Sequence, residues 1–457
     1  MNYTTTRSGG FQGISTALDK VMVLHQTDKD TDKGLLELKP RGGGGAITIE
    51  KEVLRPFLFG KDVDRWRIKW QGWWVIFPYW YGVVSDESDG GSLGIAKWHL
   101  IPSTENIDYK RSRREGRGTR TFQPFEHWPQ DAPILDRDYP HLWRYLKAHE
   151  RELRARESGR YRQGNNDEWR WYDLAYPRSL DVAAGAKLLV QLLSRRANYA
   201  YESNGGYYFQ AGGKGGGVYG IALIRGINPW PFLGLLNSSV LDFYLKIISA
   251  VYSNGYVSYA DSFIKWLPIP NTNAKEQESL SGIAMELTRL NQALAETEDM
   301  LANFPTSLTE SLAQQGKAPS RDALGNLATV NGLAQELSIE KTTMQTDLMG
   351  QFVLRLGRGS LTTDSNALAQ LVLEALRERG KIKRDELLAL NFPTNPRDQE
   401  AYLDRLSTWR EEHARLESAI ETLEQQVNKE VYALFELRPN EVQTIEAYLA
   451  RFSGGNA

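Results

Sequence analysis

The sequence predicts an α+β protein: a mixed-sheet domain over residues 1–270, followed by an all-helical, coiled-coil-like tail over residues 271–457. Three observations carry this. Residues 54–79 place a polar, basic turn ahead of an aromatic run with strand character. Up to Pro270, strand-like and helix-like segments mix without a regular βαβ repeat, which favours an α+β domain over a doubly wound one. Beyond Pro270, leucines recur at seven-residue spacing, the pattern of a heptad seam.

Taken in order, Gly60, Lys61, Asp62, Asp64 and Arg65 form the polar turn, and Ile68-Lys69-Trp70 and residues 73–77 flank Gln71-Gly72. Glycine in a two-residue linker is what a tight hairpin requires, so a hairpin is expected there. Residues 138–158 read as an amphipathic helix, with Leu142, Tyr145, Leu146, His149 and Leu153 on one face and Arg144, Lys147, Arg151 and Arg154 on the other. Residues 207–210 and 218–224 read as strands joined by the glycine-rich segment 211–217. Leu233, Leu236, Val240, Phe243, Tyr244 and Ile247 give a second helix.

In the tail, Leu280, Leu287, Leu294 and Leu301 are joined at complementary positions by Ile283 and Leu290. Farther on, Tyr402, Leu406, Trp409, His413, Leu416, Ile420, Leu423 and Val427 alternate spacings of four and three. Two such helices either pair antiparallel or pack as an ordinary bundle. Residues 305–321 read as a loop, and the helix–glycine–helix spacing around Gly380 is too common to mark a DNA-binding helix-turn-helix.

Net charge is −2 over 457 residues, but it is unevenly spread. Residues 1–270 hold 36 Lys and Arg against 29 Asp and Glu, while the remainder holds 19 against 28. Twelve of the 13 tryptophans also precede Pro270, so charge and aromatic content divide at the same place. A basic, aromatic front suits a polyanion partner, because Lys and Arg displace counterions condensed on phosphates. With no cysteine, disulfides and thiolate zinc sites are excluded, in keeping with a reducing cytoplasm. No apolar run reaches the roughly 18 residues of a membrane span, and the N-terminus lacks a signal-peptide pattern. A soluble cytoplasmic protein is expected.

As a string, residues 54–79 resemble a signature of the TaqI-like target-recognition domain of adenine-specific DNA methyltransferases and fused restriction-modification enzymes. The resemblance continues in chain order. Phe11-Gln12-Gly13-Ile14-Ser15-Thr16 is similar to that domain's opening, and Tyr139-Pro140, Tyr145-Leu146 and Leu153 to Arg156 to its helix. Residues 169–177, 187–189 and 204–209 resemble its later strands, Leu235-Leu236-Asn237-Ser238 a helix start, and Leu267-Pro268-Ile269-Pro270 its exit. The match is looser at residues 431–435. The family's catalytic domain binds S-adenosylmethionine and carries an Asn-Pro-Pro-Tyr motif that holds a flipped adenine. The nearest string in this chain, Asn391-Phe392-Pro393-Thr394, lacks the second proline and the aromatic residue. The resemblance therefore implies a module that is not an enzyme by itself, has no cofactor of its own, and works with a catalytic subunit or domain that binds S-adenosylmethionine.

Other chemistry finds little support. The glycine-rich stretches 41–45 and 212–217 lack phosphate-loop spacing, and no Ser or Thr follows Lys214. The six histidines are scattered and form no HExxH. A nuclease would use Glu37-Leu38-Lys39 with Asp28, Asp30 or Asp32, a spacing that charged chains meet by chance. Candidate DNA contacts concentrate at Lys110, Arg111, Arg113, Arg114, Arg117 and Arg120, which face a single acidic residue, Glu115. Such a loop can follow phosphates or reach guanine edges, and it can equally be a solvated charge run. Ser15, Thr16 and Lys61 join the candidates through the resemblance. The resulting expectation is a sequence-specific module that binds double-stranded DNA in a methylation or phage-defence system. The alternatives are an interaction protein acting through its tail, and a nuclease.

Overall fold

The computed structural model describes residues 10–27, 34–83, 96–106, 128–156, 171–177, 179–212, 216–224, 226–338, 340 and 342–453. The chain divides into two compact units, residues 1–285 with 426–457, and residues 286–425.

In the first unit the strands run β1 (Gly10–Gln12), β2 (Val23–Gln26), β3 (Leu35–Pro40), β4 (Ile47–Glu50), β5 (Leu54–Leu58), β6 (Val63–Asp64), β7 (Arg67–Ile68), β8 (Trp73–Ile76), β9 (Tyr79–Gly82) and β10 (Lys97–Leu100). They continue as β11 (Lys187–Gln191), β12 (Leu193–Ser194), β13 (Ala200–Glu202), β14 (Tyr208–Phe209), β15 (Val218–Ala222) and β16 (Val257–Ser258). A six-stranded sheet has the order β14-β5-β8-β2-β3-β4, and a four-stranded sheet the order β1-β15-β11-β13. The first mixes one parallel pair, β14 with β5, among antiparallel ones, as expected for a mixed sheet. Val23, Leu24, Phe57, Leu58, Val75, Ile76 and Phe77 are fully buried in its core.

The aromatic segment is a strand pair, but not the one its glycine suggests. β7 does not pair with β8 across Gln71-Gly72; it folds back on β6, with Asp64 opposite Arg67 and Arg65-Trp66 at the turn. β8 lies instead between β5 and β2. Gly72 does take a positive φ of 73°, and its carbonyl accepts from Gln26. Glycine thus marks a turn there, while the pairing is set by partners distant in sequence. Likewise β14 and β15 flank the glycine-rich segment but join different sheets.

The helix expected at 138–158 is three short pieces, Leu135–Asp138, Pro140–Ala148 and Glu150–Arg154. Pro140 sits in the first turn of the second piece, where its missing N–H costs nothing. The second expected helix is broken into Trp230–Leu236 and Ser239–Ile248, bent by 58°. Ser238 caps the latter, accepting from the Leu241 amide. Among the described residues no single helix is long and apolar enough to cross a membrane.

The second unit corrects the tail reading. The α+β class holds, but residues 271–457 are not all helical. Strands β17 (Arg321–Ala323), β18 (Thr329–Asn331), β19 (Glu336–Ser338), β20 (Thr342–Thr346), β21 (Phe352–Leu356), β22 (Gly359–Thr363), β23 (Lys381–Lys383) and β24 (Asn391–Pro393) fold there, four of them as a β18-β22-β21-β20 sheet. Residues 305–321 are not simply a loop either, since Thr306–Gln314 is helical with Leu308 buried and the Thr309 hydroxyl bonded to that of Tyr402. A strand, β23, separates the helices Asn366–Arg379 and Arg384–Ala389, so the helix–glycine–helix spacing is no helix-turn-helix.

The heptad helices themselves are Ala274–Ala302 and Pro396–Leu434. Leu280, Ile283, Leu287, Leu290 and Leu301 are buried on the first, and Tyr402, Leu406, Trp409, Leu416 and Val427 on the second. In the first unit Ser279 donates to Glu430 at 2.8 Å. In the second, Arg289 lies close enough to Arg415 to repel it.

Candidate nucleic-acid interface

The segments that carry the resemblance meet in space. Ile14 bridges Gln210, and its amide donates to the Phe209 carbonyl at 3.0 Å. A Cβ at Gly13 would lie 2.0 Å from that carbonyl oxygen, so only glycine fits. Ser15 pairs through its backbone with Tyr176. The buried Arg156 guanidinium donates to the carbonyls of Thr16, Trp171 and Asp173 at 2.7–2.8 Å, tying the opening, the helical region and residues 171–173 together. The Gly60 amide meets the Gly216 carbonyl at 3.2 Å, and the Trp66 amide meets that of Tyr199 at 2.9 Å.

On this frame the β6–β7 turn and the residues after β12 bring four arginines into one region, Arg196 exposed and Arg65, Arg67 and Arg195 half-buried. Asp64 bridges two arginines, with Arg196 at 3.6 Å and Arg67 at 3.7 Å. Arg65 donates to the Ala197 carbonyl at 3.2 Å and lies over the Trp66 ring. Arg195 lies 5.1 Å from the Tyr256 ring centre. Two guanidinium groups, those of Arg67 and Arg196, thus share one carboxylate; the Arg67 side chain is 14% exposed and the Arg196 side chain 62%. Lys61 is exposed on the helical turn Gly60–Asp62 immediately before β6.

Below the arginines lies a buried polar knot. Asp242 accepts from Lys246 at 2.6 Å and from the Tyr259 hydroxyl at 2.7 Å. Burial pulls the Lys246 ammonium below its ordinary range, against the pull of Asp242, and the Arg65 charge lowers it further. Arg65 therefore lies near enough to this knot for its charge to be felt there.

The candidates named from sequence fare unequally. Lys61 is exposed, on the turn that precedes β6. Ser15 is half-buried, and Thr16 is buried with its hydroxyl given to Asp19 (2.5 Å) and accepting from the Leu18 amide (3.0 Å). Lys110, Arg111, Arg113, Arg114, Arg117 and Arg120 lie outside the described residues. Arg65, read from the sequence only as part of the polar turn, and Arg67, Arg195 and Arg196 were not among the candidates. Their sequence signal was slight, two pairs of cations some 130 residues apart, and only folding joins them. Trp74 and Tyr79 are buried and Trp70 and Trp73 half-buried, as core packing requires. Glu37 of the nuclease alternative accepts from the Thr27 hydroxyl at 2.9 Å; its Asp partners lie outside the described residues. Among the described residues no group of three or more His, Asp or Glu is placed to hold a metal ion.

No family model and no curated protein matches the chain. Among solved structures, the crystal structure of an HsdS subunit from Thermoanaerobacter tengcongensis aligns at 13% identity over 55% of this chain and 81% of that one, with a TM-score of 0.20. At that TM-score the likeness carries no argument about fold or role.

Proposed function

We propose that residues 1–270 are a sequence-specific recognition module for double-stranded DNA, serving an adenine-specific methyltransferase or restriction-modification system in phage defence. The module is non-catalytic, and S-adenosylmethionine belongs to its catalytic partner. The observation that carries this is the meeting of the β6–β7 turn with residues 195–197, where Arg67 and Arg196 share Asp64, Arg65 reaches the Ala197 carbonyl and Arg196 is largely exposed, with Lys61 exposed on the preceding turn, on a frame assembled by the motif segments themselves. Guanidinium groups bind phosphate and guanine edges bidentately, so such a surface fits a duplex better than a small acidic ligand. The remaining residues hold the partner. Leu348 and Met349 lie fully exposed at the β20–β21 turn, apolar surface of the kind a protein partner covers.

The test is duplex binding by the whole chain across a salt series. Replacing Lys61, Arg195 and Arg196 by Ala is expected to flatten the slope of log affinity against log salt by about two to three units, at roughly 0.9 per phosphate contact. Binding whose affinity and slope are untouched would reject this surface as the interface.

A further inference from the structure

A short two-stranded finger rises from the strand pair that leads into Arg195 and Arg196. β16 pairs with β12, Leu193 opposite Ser258 and Ser194 opposite Val257. Val251 bridges Val257, and the Tyr252 amide donates to the Tyr256 carbonyl at 2.7 Å. The stem is clamped by Ser249, whose hydroxyl donates to the Ser258 carbonyl at 2.6 Å and accepts from the Ser258 amide at 3.1 Å. At the tip Asn254 and Gly255 take φ values of 62° and 75°, left-handed conformations that Asn and Gly adopt most readily. The finger is therefore a defined ribbon.

Val257 is buried at its base, and the side chains of Val251, Tyr252, Asn254 and Tyr256 before it face outward. Val251 is 60% exposed, Tyr252 50% and Tyr256 38%, and Asn254 is exposed at the apex. The Arg195 guanidinium beside Tyr256 makes the finger and the arginines one continuous surface. That cationic surround argues for a polyanion as the occupant. A two-stranded ribbon is also an element the major groove of B-DNA admits, and an Asn amide matches the N6 and N7 edge of adenine.

We propose that the finger tip, residues 252–256, enters a groove of duplex DNA and reads bases through Asn254 and Tyr252, while Lys61 and Arg196 hold phosphates. This rests on the DNA-recognition reading above. Asn254→Gly suits the test because it keeps the left-handed backbone and removes only the amide; Tyr252→Ala removes the ring.

The whole chain, wild type and each variant, is put through selection from a randomised duplex library, followed by affinity and salt-slope measurements on the wild-type site. The expected result is a wild-type site that becomes degenerate at one or two positions in each variant. Affinity for that site should fall about 5- to 150-fold, the equivalent of a lost base contact, with the salt slope unchanged. Variants that select the same site at the same affinity, or that weaken equally on all sequences, overturn the finger and leave DNA recognition standing. A wild-type chain that binds no duplex, or selects no site, overturns both.

Discussion

The side-chain amide of Asn237 and the backbone of Tyr199 exchange two hydrogen bonds. Asn237 Oδ1 accepts from the Tyr199 amide and Nδ2 donates to the Tyr199 carbonyl, each at 2.9 Å, and both residues are buried. The same carbonyl accepts from the Trp66 amide. One Asn therefore pins the bend between two helices, the strand leading into β13, and the turn that carries Arg65. This gives the Leu-Asn-Ser string a structural reason, since no aliphatic residue can offer a donor and an acceptor together.

Asn237→Ala should accordingly destabilise the first unit by about 2–4 kcal/mol, because a buried amide is left unpaired and the carbonyl keeps only one of its partners. Tryptophan fluorescence during urea unfolding reports it cleanly, since 12 of the 13 tryptophans precede Pro270. A midpoint within error of wild type would show that the pair contributes nothing.

How much of this was legible beforehand depends on the range of the interaction. The heptad positions Leu280, Leu287, Tyr402 and Leu416 are buried as their spacing implied, because helix periodicity is a local property. The pairing of β7 was not legible. It depends on Trp66 holding a φ of 70°, which a tryptophan sequence does not advertise and which the Tyr199 carbonyl stabilises from 133 residues away. The strands of the second unit were hidden for another reason. β17, β18, β19, β23 and β24 have three residues each, too few to show alternation, and β20 is almost wholly exposed. The arginine surface was invisible because its halves are ordinary in isolation.

Lys187 and Glu202 face each other on β11 and β13 at 2.5 Å, 0% and 5% exposed. Lys187 also donates to the Ala183 carbonyl, and Glu202 accepts from the amides of Asn204 and Gly206. Burial pulls the ammonium below the ordinary lysine range, against the attraction of Glu202. Lys187→Met leaves a buried carboxylate without its counter-charge and should cost about 3–5 kcal/mol. Adding Glu202→Gln should recover a substantial part, and a double-mutant cycle measures the coupling. Strictly additive losses would mean that the two groups stabilise the sheet independently.

Asp62 sets a pH dependence of the opposite kind to a salt-bridged carboxylate. It is 1% exposed, its Oδ2 accepts from the Phe59 amide at 2.8 Å, and Oδ1 has no hydrogen-bond partner among the described residues. Burial pushes its carboxyl above the ordinary 3.8, outweighing the Phe59 amide and the Lys61 charge. With the folded value above the unfolded one, folding disfavours the ionised form. The penalty is absent below pH 3.8 and reaches its full size once the pH exceeds the folded value. Asp62→Asn removes this titration, so the variant should gain stability relative to wild type as pH rises from acid to neutral. Urea midpoints across pH read the difference in slope, whatever fixed cost the new amide adds, and parallel curves would contradict the assignment.

On the proposed DNA-recognition reading, the contributions of the cations at 110–120 and of Lys61, Arg195 and Arg196 can be separated, because screening reports the number of phosphates contacted rather than their location. Replacing Arg111, Arg113, Arg114 and Arg117 by Ala removes four charges. If all four meet phosphates, the salt slope should flatten by about three to four units, at roughly 0.9 each, uniformly across sequences. If one of them instead reads a guanine edge, restoring the other three should return the slope, while a loss of ~1–3 kcal/mol persists at one position of the site. The expected outcome is the phosphate role, with base reading left to the finger tip, residues 252–256. Combined with Lys61, Arg195 and Arg196 replaced by Ala, the two slope changes should then add. An unchanged slope in the quadruple variant would mark that run as solvated surface and assign the phosphate contacts to the arginine surface alone.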